Sequence, residues 1–233
     1  MKLLLLSNST DYGRSPLEHA HSALRDALGH HRTVTFIPFA QRNVDKYTSE
    51  IAAALRPLDI SVVGAQAFAD IRAAVNESEV IYVGGGNTFR LLKALQDLRL
   101  METISKRVVA GIPYIGDSAG SIIAGPTIQT TNDMPVVEPA GFRALGLLPF
   151  QINPHYIAGA AVPQFMGETR DERIDDFLDE VDVPVLALRE GSWLRVDGDE
   201  AWIGGTGGAS VFQRNREVRT VEPSSDLSWL FPC

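Results

Sequence analysis

The sequence predicts an α/β fold in which a mostly parallel central sheet carries helices on both faces. Apolar segments alternate with segments of helical spacing as far as residue 124, which is typical of parallel strands joined by right-handed crossovers. The segment Val80–Val83 is apolar throughout, as in strands buried on both faces. From residue 192 onward, short strand-like segments separated by glycines indicate antiparallel hairpins added to the edge of the sheet.

The first half of the chain divides into short predicted strands and helices. The run Lys2–Leu6 predicts a buried first strand, because it stops at Ser7 and is too short for the core of a signal peptide. Leu17, Ala20, Leu24 and Leu28 share one side of a predicted helix. In order, the further strands are 34–39, 60–63, 80–83 and 112–115, and the helices are 16–28, 47–55, 68–75, 88–95 and 101–109.

The second half begins with a looser, polar region and then regains a clear pattern. A short strand runs from residue 151 into His155. Thr169 and Glu172 have the spacing of a capping box and predict a helix that continues through Leu178. The later predicted strands are 184–188, 192–196, 201–203, 209–212 and 218–221. We expect residues 1–233 to form a single domain.

Composition narrows the classes of function. The net charge is −8 and no Lys/Arg run is present, so we expect no nucleic-acid partner. No apolar run is long enough to span a membrane. The single cysteine, Cys233, allows no internal disulfide, which favours a reducing compartment and a cytoplasmic location. The scattered histidines show no metal-ligand spacing, so no metal or cofactor is expected.

The most informative stretch is a Gly-x-Ser-x-Gly centred on Ser118. An apolar segment precedes it and a small, apolar segment follows it, which is the strand–turn–helix context of a nucleophile elbow. Such a turn raises the serine hydroxyl above the sheet, at a helix N-terminus where the Ala119 N–H can hold an oxyanion. The alternative is an ordinary helix start that Ser118 caps.

The segment Gly84-Gly85-Gly86-Asn87-Thr88 also follows a buried strand and opens a helix. Its spacing matches neither a dinucleotide-binding nor a phosphate-binding loop. Since ligands of open parallel sheets bind at the carboxyl ends of strands, the N–H groups of Gly86 and Ala119 could converge on one oxygen. The alternative is a glycine-rich turn before a helix that Asn87 or Thr88 caps.

A serine nucleophile needs a base, and His155 is the candidate in the right part of the chain. It ends an apolar strand after a proline. The other four histidines, at positions 19, 21, 30 and 31, lie on or near the first helix and are expected to be solvated.

The chain resembles the serine peptidase family that includes peptidase E (α-aspartyl dipeptidase) and cyanophycinase. The likeness runs along nearly the whole chain, through the segments 3–9, 36–40, 84–89, 118–120, 130–135, 151–155 and 167–170. It implies a fold similar to class I glutamine amidotransferases, with serine in place of the cysteine nucleophile. It also implies hydrolysis of dipeptides with an N-terminal Asp, with Ser118 as nucleophile, His155 as base, and Gly86 and Ala119 as the oxyanion hole.

The third member of the triad has two candidates in motifs that match the family. Glu190 gives the order Ser–His–Glu, and Asp133 gives Ser–Asp–His. We favour Glu190, because it ends a predicted core strand and would be held rigidly. Asp133 lies in a long loop that could instead cover the site.

Substrate choice requires a cation for the Asp side chain, and Arg170 is the first candidate, with Asn87 as a further substrate contact. Arg170 and Arg173 could together offer a fork for a carboxylate, although Thr169 and Glu172 give this segment an ordinary helix-capping interpretation. The sequence departs from the family at Asp117, where a bulky aromatic is usual, and at Ser121. A carboxylate at position 117 would repel an acidic substrate unless it points away or pairs with a cation.

Three alternatives stay open at this point. A cyanophycinase-like hydrolase would cut Asp linked through its side chain to Arg, and a broader acyl hydrolase would ignore the N-terminal Asp. A binding module on this fold would leave Ser118, His155 and either acid out of hydrogen-bond reach. The expected quaternary state is a monomer or a homodimer.

Overall fold

The structure, a computed structural model, describes residues 1–11, 13–159 and 167–231, so that Cys233 lies outside the described residues. The strands are β1 (Lys2–Leu6), β2 (Thr33–Ile37), β3 (Ser61–Gly64), β4 (Ile81–Val83), β5 (Tyr114–Asp117), β6 (Gln151–Asn153), β7 (Val185–Leu188), β8 (Ser192–Asp197), β9 (Glu200–Gly205), β10 (Ala209–Phe212) and β11 (Arg219–Val221). The α-helices are α1 (His21–Leu28), α2 (Val44–Leu55), α3 (Ile71–Asn76), α4 (Thr88–Asp97), α5 (Met101–Val109), α6 (Ala119–Ile123) and α7 (Arg170–Glu180).

The larger sheet has the strand order β3-β2-β4-β5-β1-β8-β9. Its first five strands are parallel, and β8 and β9 extend it as an antiparallel hairpin beside β1. The predicted α/β class, the mostly parallel sheet and the hairpin at its edge are therefore confirmed. Strand β1 is central, which explains why Leu3, Leu4, Leu5 and Leu6 are all fully buried.

Helices cover both faces of this sheet, as the alternating side chains of β1 show. Leu3 and Leu5 belong to a core shared with helices α3 to α6. Leu4 and Leu6 belong to the opposite core, which is shared with α1 and α2. Because successive strand residues point to opposite faces, a run of four leucines supplies both cores at once.

A smaller sheet has the order β11-β10-β7-β6, with β6 and β7 parallel and the other pairs antiparallel. The C-terminal hairpins are thus divided between two sheets rather than all added to the central one. Since β8 and β9 occupy the edge beside β1, β10 and β11 pair with β7 instead.

The histidine at position 19 differs from the expectation of solvated side chains near the first helix. Its ring lies 6.5 Å from the ring of Trp193, and both of its ring nitrogens are buried. Burial lowers the pKa of His19 below its ordinary value.

Two findings concern features that the described residues do not form. No helix in the described part of the chain is long and apolar enough to cross a membrane. Within the same residues, no cluster of three or more His, Cys, Asp or Glu side chains is arranged to hold a metal ion.

Candidate active site

Ser118 stands on a sharp turn between β5 and α6, with a positive backbone φ (φ 49°, ψ −105°). This conformation is strained for a residue with a side chain. The flanking glycines make the turn possible. A Cβ on Gly120 would overlap the carbonyl oxygen of Val83, and one on Gly116 would lie 2.6 Å from the carbonyl oxygen of Gly120.

The hydroxyl of Ser118 is directed at an imidazole and does not cap the helix. Its Oγ lies 2.8 Å from Nε2 of His155, and the side chain makes no capping hydrogen bond to α6. Of the two interpretations of this serine, the geometry therefore favours the nucleophile elbow.

His155 is held by its backbone and by its second ring nitrogen. Its N–H donates to Oγ of Ser7 (2.9 Å), and Ser7 donates in turn to the carbonyl of Leu188 (3.0 Å). Nδ1 of His155 lies 3.0 Å from Oε1 of Glu190, which follows β7. The His155 and Glu190 side chains are 42% and 56% exposed, so this pair lies close to solvent.

Asp133 lies on a different element. Its Oδ2 accepts hydrogen bonds from the Thr88 N–H (2.7 Å), Thr88 Oγ1 (2.6 Å) and Thr131 Oγ1 (3.2 Å). A carboxylate at this position complements the N-terminus of α4. Of the two candidates for the third triad member, the structure therefore brings Glu190 to His155 and places Asp133 at a helix start.

The glycine loop, residues 84–86, faces the elbow across the carboxyl ends of β4 and β5. Gly86 has a φ of 132°, and a Cβ there would lie 2.8 Å from the carbonyl oxygen of Ala40, so only glycine fits. In the described part of the chain, neither the Gly86 N–H nor the Ala119 N–H donates to a protein acceptor. Both donors are therefore available to a ligand beside Ser118.

Asn87 caps α4, as the alternative interpretation of this loop expected. Its Oδ1 accepts the N–H of Arg90 (3.0 Å), and its Nδ2 donates to the carbonyl of Met134 (2.8 Å). Both ends of the amide are engaged with the protein. Its role as a substrate contact stays a prediction.

A cavity of about 600 Å³ opens beside Ser118 and His155. Its lining carries Glu50, Asp117 and Asp133, but Lys46 is its one cation among the described residues. The ammonium of Lys46 lies 3.7 Å from a carboxylate oxygen of Glu50, and both side chains are largely exposed.

Asp117, the departure from the family pattern, is 1% exposed at the end of β5. Burial raises the pKa of its carboxyl to about 6, and the charge of His155 is the largest opposing influence. Hydrogen bonds from Ser9, Gly85 and Tyr47 also oppose the rise. No cation of the described residues pairs with this carboxylate.

Arg170 is the first residue of α7 and is half-buried. Burial lowers the pKa of its guanidinium, as does the neighbouring charge of Arg173. It does not line the cavity beside Ser118. The predicted fork does not form, because Nε of Arg173 lies 2.8 Å from Oε2 of Glu168. Thr169 and Glu172 do form the predicted capping box.

Three residues that support the site were not predicted. Ser7 braces His155, and Asn8 Oδ1 accepts the N–H of Gly191 (2.8 Å) next to Glu190. Their signal was polar side chains directly after a buried strand. The third residue, Tyr47, contacts the glycine loop from α2, and nothing in the local sequence pattern of α2 distinguishes it.

The chain is similar in sequence to known peptidases over nearly its whole length. Residues 3–204 match the sequence family described as peptidase family S51. The chain is 49% identical over 230 residues to the peptidase E of Streptomyces coelicolor, covering 99% of this chain and 95% of that protein. It is 43% identical over 231 residues to a Drosophila melanogaster protein named probable alpha-aspartyl dipeptidase, covering 98% and 96%.

Solved structures are similar as well. A Listeria monocytogenes protein crystallised as a candidate peptidase E superimposes with a TM-score of 0.68 at 25% identity, covering 88% of this chain and 98% of that one. A peptidase from an acI-B1 actinobacterium gives a TM-score of 0.71 at 15% identity, covering 97% and 96%. At that identity, the second likeness speaks for the fold alone.

Proposed function

The chain belongs to peptidase family S51, and from that premise we propose that it is a serine dipeptidase that hydrolyses dipeptides with an N-terminal Asp. The observation that carries this proposal is the chain of hydrogen bonds from Ser118 through His155 to Glu190 (2.8 and 3.0 Å). Relatives at 49% and 43% identity, named peptidase E and probable alpha-aspartyl dipeptidase, support the choice of substrate.

The proposed reaction begins with proton transfer from Ser118 to His155. Glu190 accepts a hydrogen bond from Nδ1–H, which leaves Nε2 as the acceptor facing the serine. As Oγ attacks the scissile carbonyl, the carboxylate of Glu190 stabilises the imidazolium that forms. His155 then returns the proton to the leaving amine.

The tetrahedral oxygen would be held by the N–H groups of Gly86 and Ala119. Donors of this kind lower the barrier by about 3–4 kcal/mol each, because they are already oriented where the charge develops. An acyl-enzyme on Ser118 results, and water activated by His155 releases Asp.

The Asp side chain of the substrate needs a cation, and we keep Arg170 as the first candidate. Desolvation of its guanidinium is compatible with carboxylate binding, since a bidentate ion pair is strongest away from water. Lys46 is the second candidate, because it lines the cavity beside the nucleophile.

A cyanophycinase-like hydrolase is the second candidate function. The cavity lining favours it, because three carboxylates outnumber the one described cation there. Such a lining would suit an Arg linked to the side chain of Asp.

Hydrolysis of unblocked Asp-x, Glu-x, Asn-x, N-acetyl-Asp-x and β-Asp-Arg peptides, measured as release of the C-terminal residue, tests both functions. We expect cleavage of unblocked Asp-x alone, and its loss in Ser118→Ala. Ser121→Ala is the matched control, because that buried hydroxyl donates to the carbonyl of Leu6 (2.7 Å) and not to His155. Preferential cleavage of β-Asp-Arg would favour the second candidate. Activity spread over the panel would indicate a broader hydrolase.

A further inference from the structure

The glycine loop has no side chains of its own to fix it, and the surrounding protein holds its peptide groups one by one. The N–H of Gly85 donates to Oη of Tyr47 (2.8 Å). The carbonyl of Gly85 accepts from Nε2 of Gln41 (3.4 Å). The following peptide, between Gly86 and Asn87, is held because the Asn87 N–H donates to the carbonyl of Ala40 (3.1 Å).

These contacts determine where the Gly86 N–H points. In a trans peptide, the N–H of Gly86 is directed opposite to the carbonyl of Gly85. Two adjacent dihedrals, those of Gly85, separate that peptide from the one held by Tyr47. Fixing both peptides therefore removes the freedom that a glycine otherwise has.

Tyr47 is in turn oriented by Asp117. Because its Oη accepts the Gly85 N–H, its own hydrogen must go to another acceptor, and Oδ2 of Asp117 lies 3.5 Å away. Burial and the charge of Asp117 raise the pKa of Tyr47 well above its ordinary value, so the phenol stays protonated and able to donate.

Asp117 also reaches the loop directly. The position of a Cβ on Gly85 lies 3.2 Å from Oδ2 of Asp117 and 3.2 Å from Cβ of Ser118. The side chains of Asp117 and Ser118 therefore both pack closely against Gly85. A buried carboxylate that forms no ion pair with the described residues is costly to keep, which indicates a role beyond packing.

We propose that Tyr47 and Asp117 are positioning residues that hold the Gly85 peptide and thereby aim the Gly86 N–H at the oxyanion. This inference rests on the proposed function of Ser118 and Gly86, but it concerns the donor that stabilises charge rather than the identity of the substrate. The effect is expected in the rate of the chemical step and only weakly in substrate binding.

Tyr47→Phe is the main test, with Tyr82→Phe as its matched control. Tyr82 is a fully buried tyrosine that stacks edge-on against Phe36, as Tyr47 does, and its Oη has no partner in the described part of the chain. We expect Tyr47→Phe to lower kcat by roughly 10- to 100-fold with little change in KM, since it loosens an oxyanion donor without removing it. Tyr82→Phe should stay within about twofold of the unmodified protein.

A double-mutant cycle separates positioning from a general structural effect. Asp117→Asn should lower kcat several-fold on its own but clearly less in a Tyr47→Phe background, because part of its effect passes through Tyr47. The inference would be overturned if the kcat losses of Tyr47→Phe and Asp117→Asn simply multiplied in the double variant. It would also be overturned if Tyr47→Phe changed only KM, or if Tyr47→Phe and Tyr82→Phe lowered kcat equally.

The rate at which a fluorophosphonate labels Ser118 provides a readout independent of peptide cleavage. The phosphoryl oxygen of such a probe occupies the same donors as an oxyanion, so Tyr47→Phe should slow labelling as it slows kcat. An unmodified protein that is labelled but cleaves no Asp-x peptide would refute the proposed substrate. Slower labelling of Tyr47→Phe, but not of Tyr82→Phe, would still support this inference. Labelling rates that are equal in Tyr47→Phe and the unmodified protein would refute the inference alone.

Discussion

The carboxyl of Asp117, next to Ser118, is buried, and its ionisation lowers the stability of the folded protein. Its carboxyl is 1% exposed, and burial raises its pKa to about 6 from an ordinary value of 3.8. The folded state therefore favours the protonated form. Stability contributed by Asp117 is complete below the unfolded pKa and is lost as the pH rises through the folded pKa.

Asp117→Asn should accordingly become more stable than the unmodified protein as the pH rises. The difference in unfolding free energy should grow by about 3 kcal/mol, to order of magnitude, between acid and mildly alkaline solution. Urea unfolding of both proteins over this range measures it. A difference that does not change with pH would mean that Asp117 keeps an ordinary pKa.

The two candidate cations differ in their surroundings, which leads to a second prediction at this scale. Arg170 is half-buried, whereas Lys46 is 71% exposed and paired with Glu50. We expect Arg170→Gln to reduce kcat/KM for Asp-x by roughly 100-fold and to erase the preference over Asn-x, because a desolvated charge pair contributes more than a solvated one. Lys46→Gln should cost less than about tenfold.

Arg173→Gln is the matched control, since Arg173 shares the first turns of α7 but is paired with Glu168. Kinetics with Asp-x and Asn-x peptides decide between the two cations. The reverse order of effects would make Lys46 the residue that binds the substrate carboxylate.

At the scale of elements, the start of α4 combines a structural cap with the edge of the site. Asp133 accepts from the N–H and the hydroxyl of Thr88, while Glu190 accepts from His155 at the surface. The two acids should therefore fail in different ways when they are changed.

Asp133→Ala should lower the unfolding free energy by about 1–2 kcal/mol, as for other lost helix caps, and reduce kcat by less than about tenfold. Glu190→Gln should reduce kcat by about 100-fold or more and leave stability nearly unchanged, because the pair is solvated. Thermal unfolding and steady-state kinetics of both variants check this contrast. A larger kinetic loss in Asp133→Ala would restore it as the third member.

The elements themselves were largely predictable, because hydrophobic periodicity is local. Helix α5 occupies the predicted residues 101–109. Helix α2 begins three residues earlier than predicted, since Asn43 caps it by accepting the N–H of Lys46. Strand β5 runs to Asp117 rather than ending at Ile115, because its register with β1 pairs Leu6 with Asp117.

At the scale of the whole molecule, the sequence predicted those residues of the site that directly follow a strand. Ser118, His155 and Glu190 each follow a predicted strand, so the topology of a parallel sheet suggested that they meet. Tyr47 and Ser7 were missed, because their partners lie far away in the sequence and leave no local pattern.

The two sheets also supply different parts of the candidate triad. Ser118 directly follows β5 of the larger sheet, whereas His155 and Glu190 follow strands of the smaller one. The hydroxyl of Ser7, at the end of β1, joins the backbone of His155 to the carbonyl of Leu188. The geometry of the candidate triad therefore depends on how the two sheets pack together.

This division has a consequence during synthesis, when the ribosome delivers the chain from its N-terminus. The elbow emerges well before residue 155, and residue 190 follows later still. A nascent chain would thus display its serine without a base, and β8, which completes the flank of β1, comes last of these parts. The candidate triad can therefore assemble only after residue 190 has been made and both sheets have begun to pair.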